Sequence, residues 1–387
     1  MKKLIFIHIP KSGGTTFRNL IYENFDRQNC FYFNANRIIE EVKRFKKKSK
    51  EYRNKFVSYD GHIGYGIQNY INSKNILVTF LRDPVERVIS YWKHLKRVPN
   101  VKAKEFTGVV DKYKKDCINT NDVSFEEFIK GKYSYEISNG QLRHLASQDG
   151  NPLTFKQKEN LTNKDLDRAK KTLKKEIKFG IVKYYPKSLL LIKKQLSDEG
   201  INFEMIYNER LNKSSNKINL TKKDIKLIRE VNSLDIELYD FAVELFKKRL
   251  NYYFEDSELK KQFENLKTIE RGKNNKLKEI KEKLNNIDFD SNVALYGAGE
   301  HTYQLLQRID IDSNKFDYII DTYQETGDIL GIEIKNVNDI FTINPDVVVI
   351  STFSFQQEIY DLLTEKFKYN GQIIRLYNKD DTKAFNT

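Results

Sequence analysis

The sequence predicts an α/β protein with parallel sheets, and three stretches carry that prediction. Residues 4–21 pass from a short apolar, β-branched run through two glycines into an amphipathic pattern. Residues 74–94 repeat the change from strand to helix around Arg82-Asp83-Pro84, and residues 293–306, VALYGAGEHTYQLL, do so a third time. Strands alternating with helices are the signature of a parallel sheet with helices packed on it. The 387 residues suffice for two domains. The spacing places an α/β domain over 1–250, a helical linker over 251–284 and a smaller α/β domain over 285–387.

Leu4 to Ile9 reads as a buried strand, stopped by Pro10, which lacks a backbone donor. Gly13 and Gly14 permit a tight turn that a ligand can approach closely. Thr15 or Thr16 is the expected N-cap of the following helix, with Phe17, Leu20 and Ile21 on its apolar face. Lys11 and Ser12 lie in the turn, so backbone N–H groups, a helix dipole and an ammonium converge where an anion could sit. The order is not that of the nucleotide-hydrolase loop, whose Lys follows the last glycine. That difference, with no Mg²⁺-binding signature, argues against a P-loop kinase.

Further on, Asn36 to Phe45 has an amphipathic helical pattern, and Phe56 to Tyr59 reads as a second strand closed by GHIGYG at 61–66. Lys74 to Leu81 is the third, leading into a helix that Pro84 opens, Asp83 caps and Val85, Val88, Ile89 and Trp92 stripe. Helices are expected at Phe125–Ile129, Leu161–Leu173, Ser188–Leu196 and from Lys222 to Leu250, with a strand at Lys178–Val182 and a polar loop at Tyr207–Lys217. The linker is helical in pattern, but Gly272, Asn274 and Asn275 argue against one continuous helix. Three strands, 293–296, 316–321 and 346–352, make the last unit Rossmann-like. Its G-x-G lacks the third glycine, which is Thr302, while Asp321 stands near the place of a ribose-binding acid.

Charge is uneven. Residues 285–387 carry 8 Lys and Arg against 17 Asp and Glu, a net of −9, which leaves +23 on residues 1–284. The basic part favours an anionic ligand by steering. The lysine runs fall on helical patterns and read as solvated faces, so nucleic acid is not the expected partner. The opposed charges suggest docking of the acidic unit on the basic one, within the chain or across a homo-oligomer. No apolar run approaches the roughly 18 residues of a membrane span. The apolar stretch after Lys2 and Lys3 is short for a signal peptide, and cleavage would remove the glycine turn. Two cysteines, Cys30 and Cys117, give neither a disulfide framework nor metal-ligand spacing, so a cytoplasmic setting and no metal are expected.

Arg82 ends a strand, and Ser90 lies two helical turns later; a guanidinium and a hydroxyl so placed can clamp a phosphate. HIPKSGGTTF and LRDPVERVISYW, about 70 residues apart, together resemble the two donor-binding motifs of carbohydrate sulfotransferases. These enzymes use 3′-phosphoadenosine 5′-phosphosulfate (PAPS) and are typified by heparan sulfate 2-O-sulfotransferase. NGQLRHL (139–145), FGIVKYYPKSLLLI (179–192) and ERLNKSSNK (209–217) resemble later segments of that family, so the resemblance spans about residues 1–250 and implies a P-loop-like sulfotransferase domain. It implies that Lys11, Ser12, Gly13, Gly14, Thr15 and Thr16 hold the 5′-phosphosulfate and Arg82 and Ser90 the 3′-phosphate. Asn212, Lys213, Ser214 and Ser215 would enclose the adenosine end. The family's 2-O enzymes take a base from an H-G-H segment; here it reads Asp60-Gly61-His62, so only His62 carries over, with Lys11 stabilising the leaving group.

Gln141, Arg143 and His144 are candidates for contact with a saccharide acceptor, itself expected to be a bacterial surface glycan or precursor; Gln141 and Arg143 could equally brace the fold, and His144 or a Glu is the alternative to His62 as base. Tyr91, Trp92 and His8 read as core, and His94 and His301 as helix surface. A second reading is a regulatory or assembly protein that keeps the fold and binds the nucleotide without turnover.

Overall fold

The computed structural model describes residues 2–25, 27–34, 38–96, 124–130, 135–152, 161–203, 220–288, 291–299, 302, 305–306, 315–324, 326–352 and 355–377. The chain divides into two compact units, Met1–Leu266 and Lys267–Thr387.

The first unit is organised on strand β1, Lys3–Ile7, in which Leu4 to Ile7 are wholly buried. It is central in a five-stranded sheet whose pairings are all parallel: β2 (Cys30–Phe33), β3 (Ser58–Gly61), β1, β4 (Asn75–Leu81), β5 (Ile177–Ile181). Alternate residues of β1 enter different cores, as a strand covered on both faces requires. Leu4 and Phe6 pack with Phe17, Leu20 and Ile21 of helix α1 (Gly14–Asn24) and with Leu189 and Ile192. Ile5 and Ile7 face the opposite side, toward a core that includes Leu142, Leu166, Leu173 and Leu238.

Helices α2 (Ile38–Lys47) and α3 (Lys50–Asn54) fill the path from β2 to β3. Helix α4 (Pro84–Lys96) follows β4 and starts with Asp83 Oδ1 accepting from Glu86 N at 3.0 Å, as expected of a capping Asp. Its Val88, Tyr91 and Trp92 are buried with Phe128 of α5 (Phe125–Lys130) and Ile228, which makes both aromatics core. Then come α6 (Gly140–Leu145), α7 (Asn163–Lys175), α8 (Tyr185–Asp198), α9 (Lys222–Val231) and α10 (Ser233–Tyr253).

Several expectations need correction. Neither Thr15 nor Thr16 caps α1; Gly13, at φ 74°, is the N-cap, and it offers no side chain to the helix N–H groups. The strand expected at 56–59 lies at 58–61, and β2 was not anticipated at all. Helix α11 runs unbroken from Asp256 to Asn285 through Gly272, because good helix formers on either side outweigh a glycine cost of about 1 kcal/mol.

Among its described residues the second unit holds six strands where three were expected. They are β6 (Val293–Tyr296), β7 (Tyr318–Asp321), β8 (Asp328–Ile329), β9 (Ile332–Asn336), β10 (Val347–Ile350) and β11 (Gln372–Arg375), in the order β11-β10-β6-β7-β9-β8. All pair in parallel except β8 with β9. Both oxygens of Asp321 accept backbone N–H groups, from Ala298 at 2.8 Å and from Tyr323 and Gln324 at 2.8 and 3.1 Å. That carboxylate therefore braces the glycine turn. Thr302, in place of the third glycine, is buried and bonds Gly297 O and Ser351.

A buried ionic latch joins the functional end of the first unit. Arg87 of α4 is 0 % exposed; its Nη1 reaches Glu136 Oε2 at 3.4 Å and Pro10 O at 3.5 Å, and its Nη2 donates to Glu136 O. Asp235 of α10 lies 3.9 Å from the same guanidinium and accepts from Gln141 N and Leu142 N at the start of α6. One arginine thus ties α4 to the turn after β1, to the Glu136 segment and to α10. Arg87→Met leaves two carboxylates facing an apolar side chain and should lower unfolding stability by about 3–5 kcal/mol, read by urea titration.

Candidate functional site

Parallel pairing brings the carboxyl ends of β1, β3 and β4 side by side, with Ile7 opposite Gly61 on one flank and Thr79 on the other. The loop after each strand supplies one part of the site. After β1 the chain turns through Pro10 to Gly13, with Lys11 and Gly13 both left-handed at φ 62° and 74°. For Lys11, which has a Cβ, this costs roughly 1–2 kcal/mol. Ser12 is 1 % exposed and its Oγ has no hydrogen-bond partner among the described residues. A buried hydroxyl without a partner and an uncapped helix start are both unsatisfied until something polar and anionic arrives. Thr16 is buried and Thr15 exposed.

From β4, Arg82 reaches back to this turn: its Nη1 donates to Lys11 O at 3.3 Å while its Nε lies 3.4 Å from Glu86 Oε2. Its main chain is held by Gln141, whose Oε1 accepts from Arg82 N and whose Nε2 donates to Arg82 O, both at 2.9 Å. Ser90 is partly exposed two turns along α4.

After β3 comes His62, with a partly exposed ring in edge-to-face contact with His8 at 4.9 Å. Burial pushes its imidazole down to about 3; Lys11, Arg18 and His144 act in the same sense, against the carboxylate of Glu136. A ring held so low is unprotonated near neutral pH but a weak base in the free protein, and an anion bound beside it would raise it. His8 follows the end of β1 directly and is likewise held well below its usual value, by burial and then by His62 and Arg18.

The three expected acceptor contacts sit elsewhere than on a binding face. Gln141, Arg143 and His144 are 0, 1 and 0 % exposed. Gln141 clamps Arg82 as described. Arg143 Nε donates to Ser138 O at 3.0 Å, and its guanidinium lies over Tyr135. His144 sets Nδ1 2.9 Å from Ile63 O and Nε2 3.0 Å from Glu136 Oε1, while its own carbonyl accepts from Tyr65 N. Burial would raise Glu136, but His144 and Arg87 outweigh it and hold the carboxyl below its usual range. These side chains brace the loops from behind, because α6 turns them inward. Asn212, Lys213, Ser214, Ser215 and His301 lie outside the described residues.

Sequence reasoning missed Arg18, Asp60, Arg87, Glu136 and Asp235. Their pairings join residues tens of positions apart, and only the Asp60-Gly61-His62 segment offered a signal. Among the described residues, no group of three His, Cys, Asp or Glu side chains could hold a metal ion, and no helix is long and apolar enough to cross a membrane.

A strand, a glycine turn without a side-chain cap and a facing arginine stand together at one end of a parallel sheet, and comparison with known proteins gives the family. The sulfotransferase family matches residues 1–242, and the chain belongs to it. The C-methyltransferase C-terminal domain matches residues 246–376. Among curated proteins, the chain is similar to heparan-sulfate 6-O-sulfotransferase 2 of Gallus gallus, with 25 % identity over 320 residues, or 75 % of this chain and 78 % of that one. It is also similar to heparan-sulfate 6-O-sulfotransferase 1-B of Danio rerio, at 26 % over 286 residues (64 % and 67 %), and to heparan-sulfate 6-O-sulfotransferase 1 of Homo sapiens, at 26 % over 284 residues (64 % and 66 %). These relatives carry the 6-O name, not the 2-O name suggested by the motifs.

The side-chain resonances of His62 should show no titration between pH 5 and 8 in the free protein; a midpoint near 6.5 would contradict the lowered value. Gly14→Ala should disturb the resonances of His8, since a Cβ at Gly14 would lie 2.1 Å from His8 Cδ2.

Proposed function

We propose that the chain transfers a sulfuryl group from PAPS to a hydroxyl of a saccharide acceptor, a surface glycan or its precursor, by in-line displacement. The observation that carries this reading is the pairing of two anion-receptive groups: the turn with its unpartnered Ser12 hydroxyl and the Arg82 guanidinium against Lys11 O. A nucleoside carrying phosphate at both ends matches that pair, and the names of the relatives supply the acceptor class.

In this reading the N–H groups of Gly14, Thr15 and Thr16 and the hydroxyl of Ser12 receive the 5′-phosphosulfate oxygens. Arg82 and Ser90 receive the 3′-phosphate, which separates this donor from ordinary adenine nucleotides. Asn212 to Ser215 close over the adenosine. His62, neutral, takes the proton of the attacking hydroxyl as the new S–O bond forms. Lys11 neutralises the charge that grows on the bridging oxygen as adenosine 3′,5′-bisphosphate leaves. Positioning and charge stabilisation carry most of the rate, as in phosphoryl transfer.

Incubation with labelled PAPS and a panel of glycans tests the activity. His62→Ala should cost about 10²–10⁴-fold in transfer and Lys11→Ala about 10²–10³-fold. Donor binding without transfer to any glycan would favour a regulatory protein. Arg82→Ala should weaken adenosine 3′,5′-bisphosphate about tenfold or more, the worth of a charge-assisted bond, and leave adenosine 5′-phosphate nearly unchanged in calorimetry.

A further inference from the structure

A relay of polar groups behind the glycine turn is not used by the steps above. Asp60, 0 % exposed, accepts from Arg18 Nε at 2.6 Å and from Tyr22 OH at 2.9 Å. The same guanidinium sits over the Tyr32 ring at 4.5 Å, and its Nη2 lies 2.7 Å from His8 Nδ1. A guanidinium only donates, so His8 Nδ1 must accept and the ring proton must reside on Nε2. Nε2 faces the start of α1, where a Cβ on Gly14 would lie 2.4 Å away, and the ring meets His62 edge to face at 4.9 Å.

We propose that Asp60 and Arg18 lock His8 as the neutral Nε2–H tautomer, and that His8 so fixed is a positioning residue that holds the His62 imidazole beside the glycine turn. The inference rests on the sulfuryl-transfer reading for its consequence but not for its geometry. Arg18 cannot swing away, since Asp60 would then be a buried carboxylate without its cation. His8 cannot take a second proton, since both Arg18 and the cationic side of the turn oppose it. His62, Lys11 and His144 are the other titratable groups whose charge His8 feels, and each of them acts against its protonation. The result is a ring that fills the space behind His62 without competing for the proton that His62 is to receive. Gly14 has no side chain where the ring passes, so the tight turn serves this packing as well as the ligand.

Two measurements test this. The first needs no substrate: ¹⁵N-resolved spectra of the histidine rings in the full-length protein should show His8 with an unprotonated Nδ1 and a protonated Nε2 throughout pH 5–8. An Nδ1–H tautomer or an imidazolium would overturn the proposal whatever the protein catalyses. The second compares His8→Asn with His8→Gln. The amide of Asn reaches only the Nδ1 position, and that of Gln the Nε2 position. His8→Gln, which leaves Arg18 without its acceptor, should lower kcat about tenfold or more while binding of adenosine 3′,5′-bisphosphate stays unchanged, and His8→Asn, which keeps that acceptor, should recover part of the loss. Equal kcat in both variants and wild type would overturn the positioning role. Were wild type itself inactive on every glycan, the sulfuryl-transfer reading would fail while the tautomer assignment still stood on the spectra.

Discussion

Everything at the functional end of this chain depends on β1 being hydrogen-bonded in parallel on both flanks. Its register sets Ile7 level with Gly61 and Thr79, so three loops leave the sheet at one height. The strand alternates its side chains between two separate cores, and that fixes the register, because a slip by one residue would exchange the two cores. A glycine turn, a histidine and an arginine far apart in sequence become neighbours for this reason alone.

The loops themselves are held by buried charge. Arg87, with Glu136, His144 and Asp235, stands behind the α4 and α6 side, and Arg18 with Asp60 stands behind the α1 side. Buried ion pairs contribute little net stability against apolar replacements, but breaking one is costly. Their value here lies in direction: a guanidinium with several acceptors in set places admits one arrangement of the backbone around it. Burial is what keeps His62 neutral; Arg18 and His144 of these networks add to it, and Glu136 opposes it.

What could be read from sequence was local. The apolar run, Pro10, Gly13-Gly14 and the stripe of α1 stand within eighteen residues, and Arg82-Asp83-Pro84 announces its own helix. What could not be read was decided at a distance or by a special conformation. Gly13 displaced the threonines as the cap because the turn is left-handed there, which a residue pattern does not display. Strand β2 is four residues long, with Tyr32 exposed at the sheet edge, and too short to show periodicity. The NGQLRHL segment offers Gln141, Arg143 and His144 to an acceptor or to the fold, and a residue pattern does not show which. Here the helix is buried all round, and its partners are Arg82, Ser138, Ile63 and Glu136. Half of the second sheet escaped notice because β8, β9 and β11 are short and partly exposed.

The central claim is that one bisphosphorylated nucleoside bridges the turn after β1 and the end of β4. Its most direct measurement is a crystal structure with adenosine 3′,5′-bisphosphate. The account requires the 5′-phosphate on the N–H groups of residues 14–16 with Ser12 Oγ as a partner, and the 3′-phosphate on Arg82 and Ser90. A nucleotide bound with its 3′-phosphate remote from Arg82, or with Ser12 still unpartnered, would contradict it.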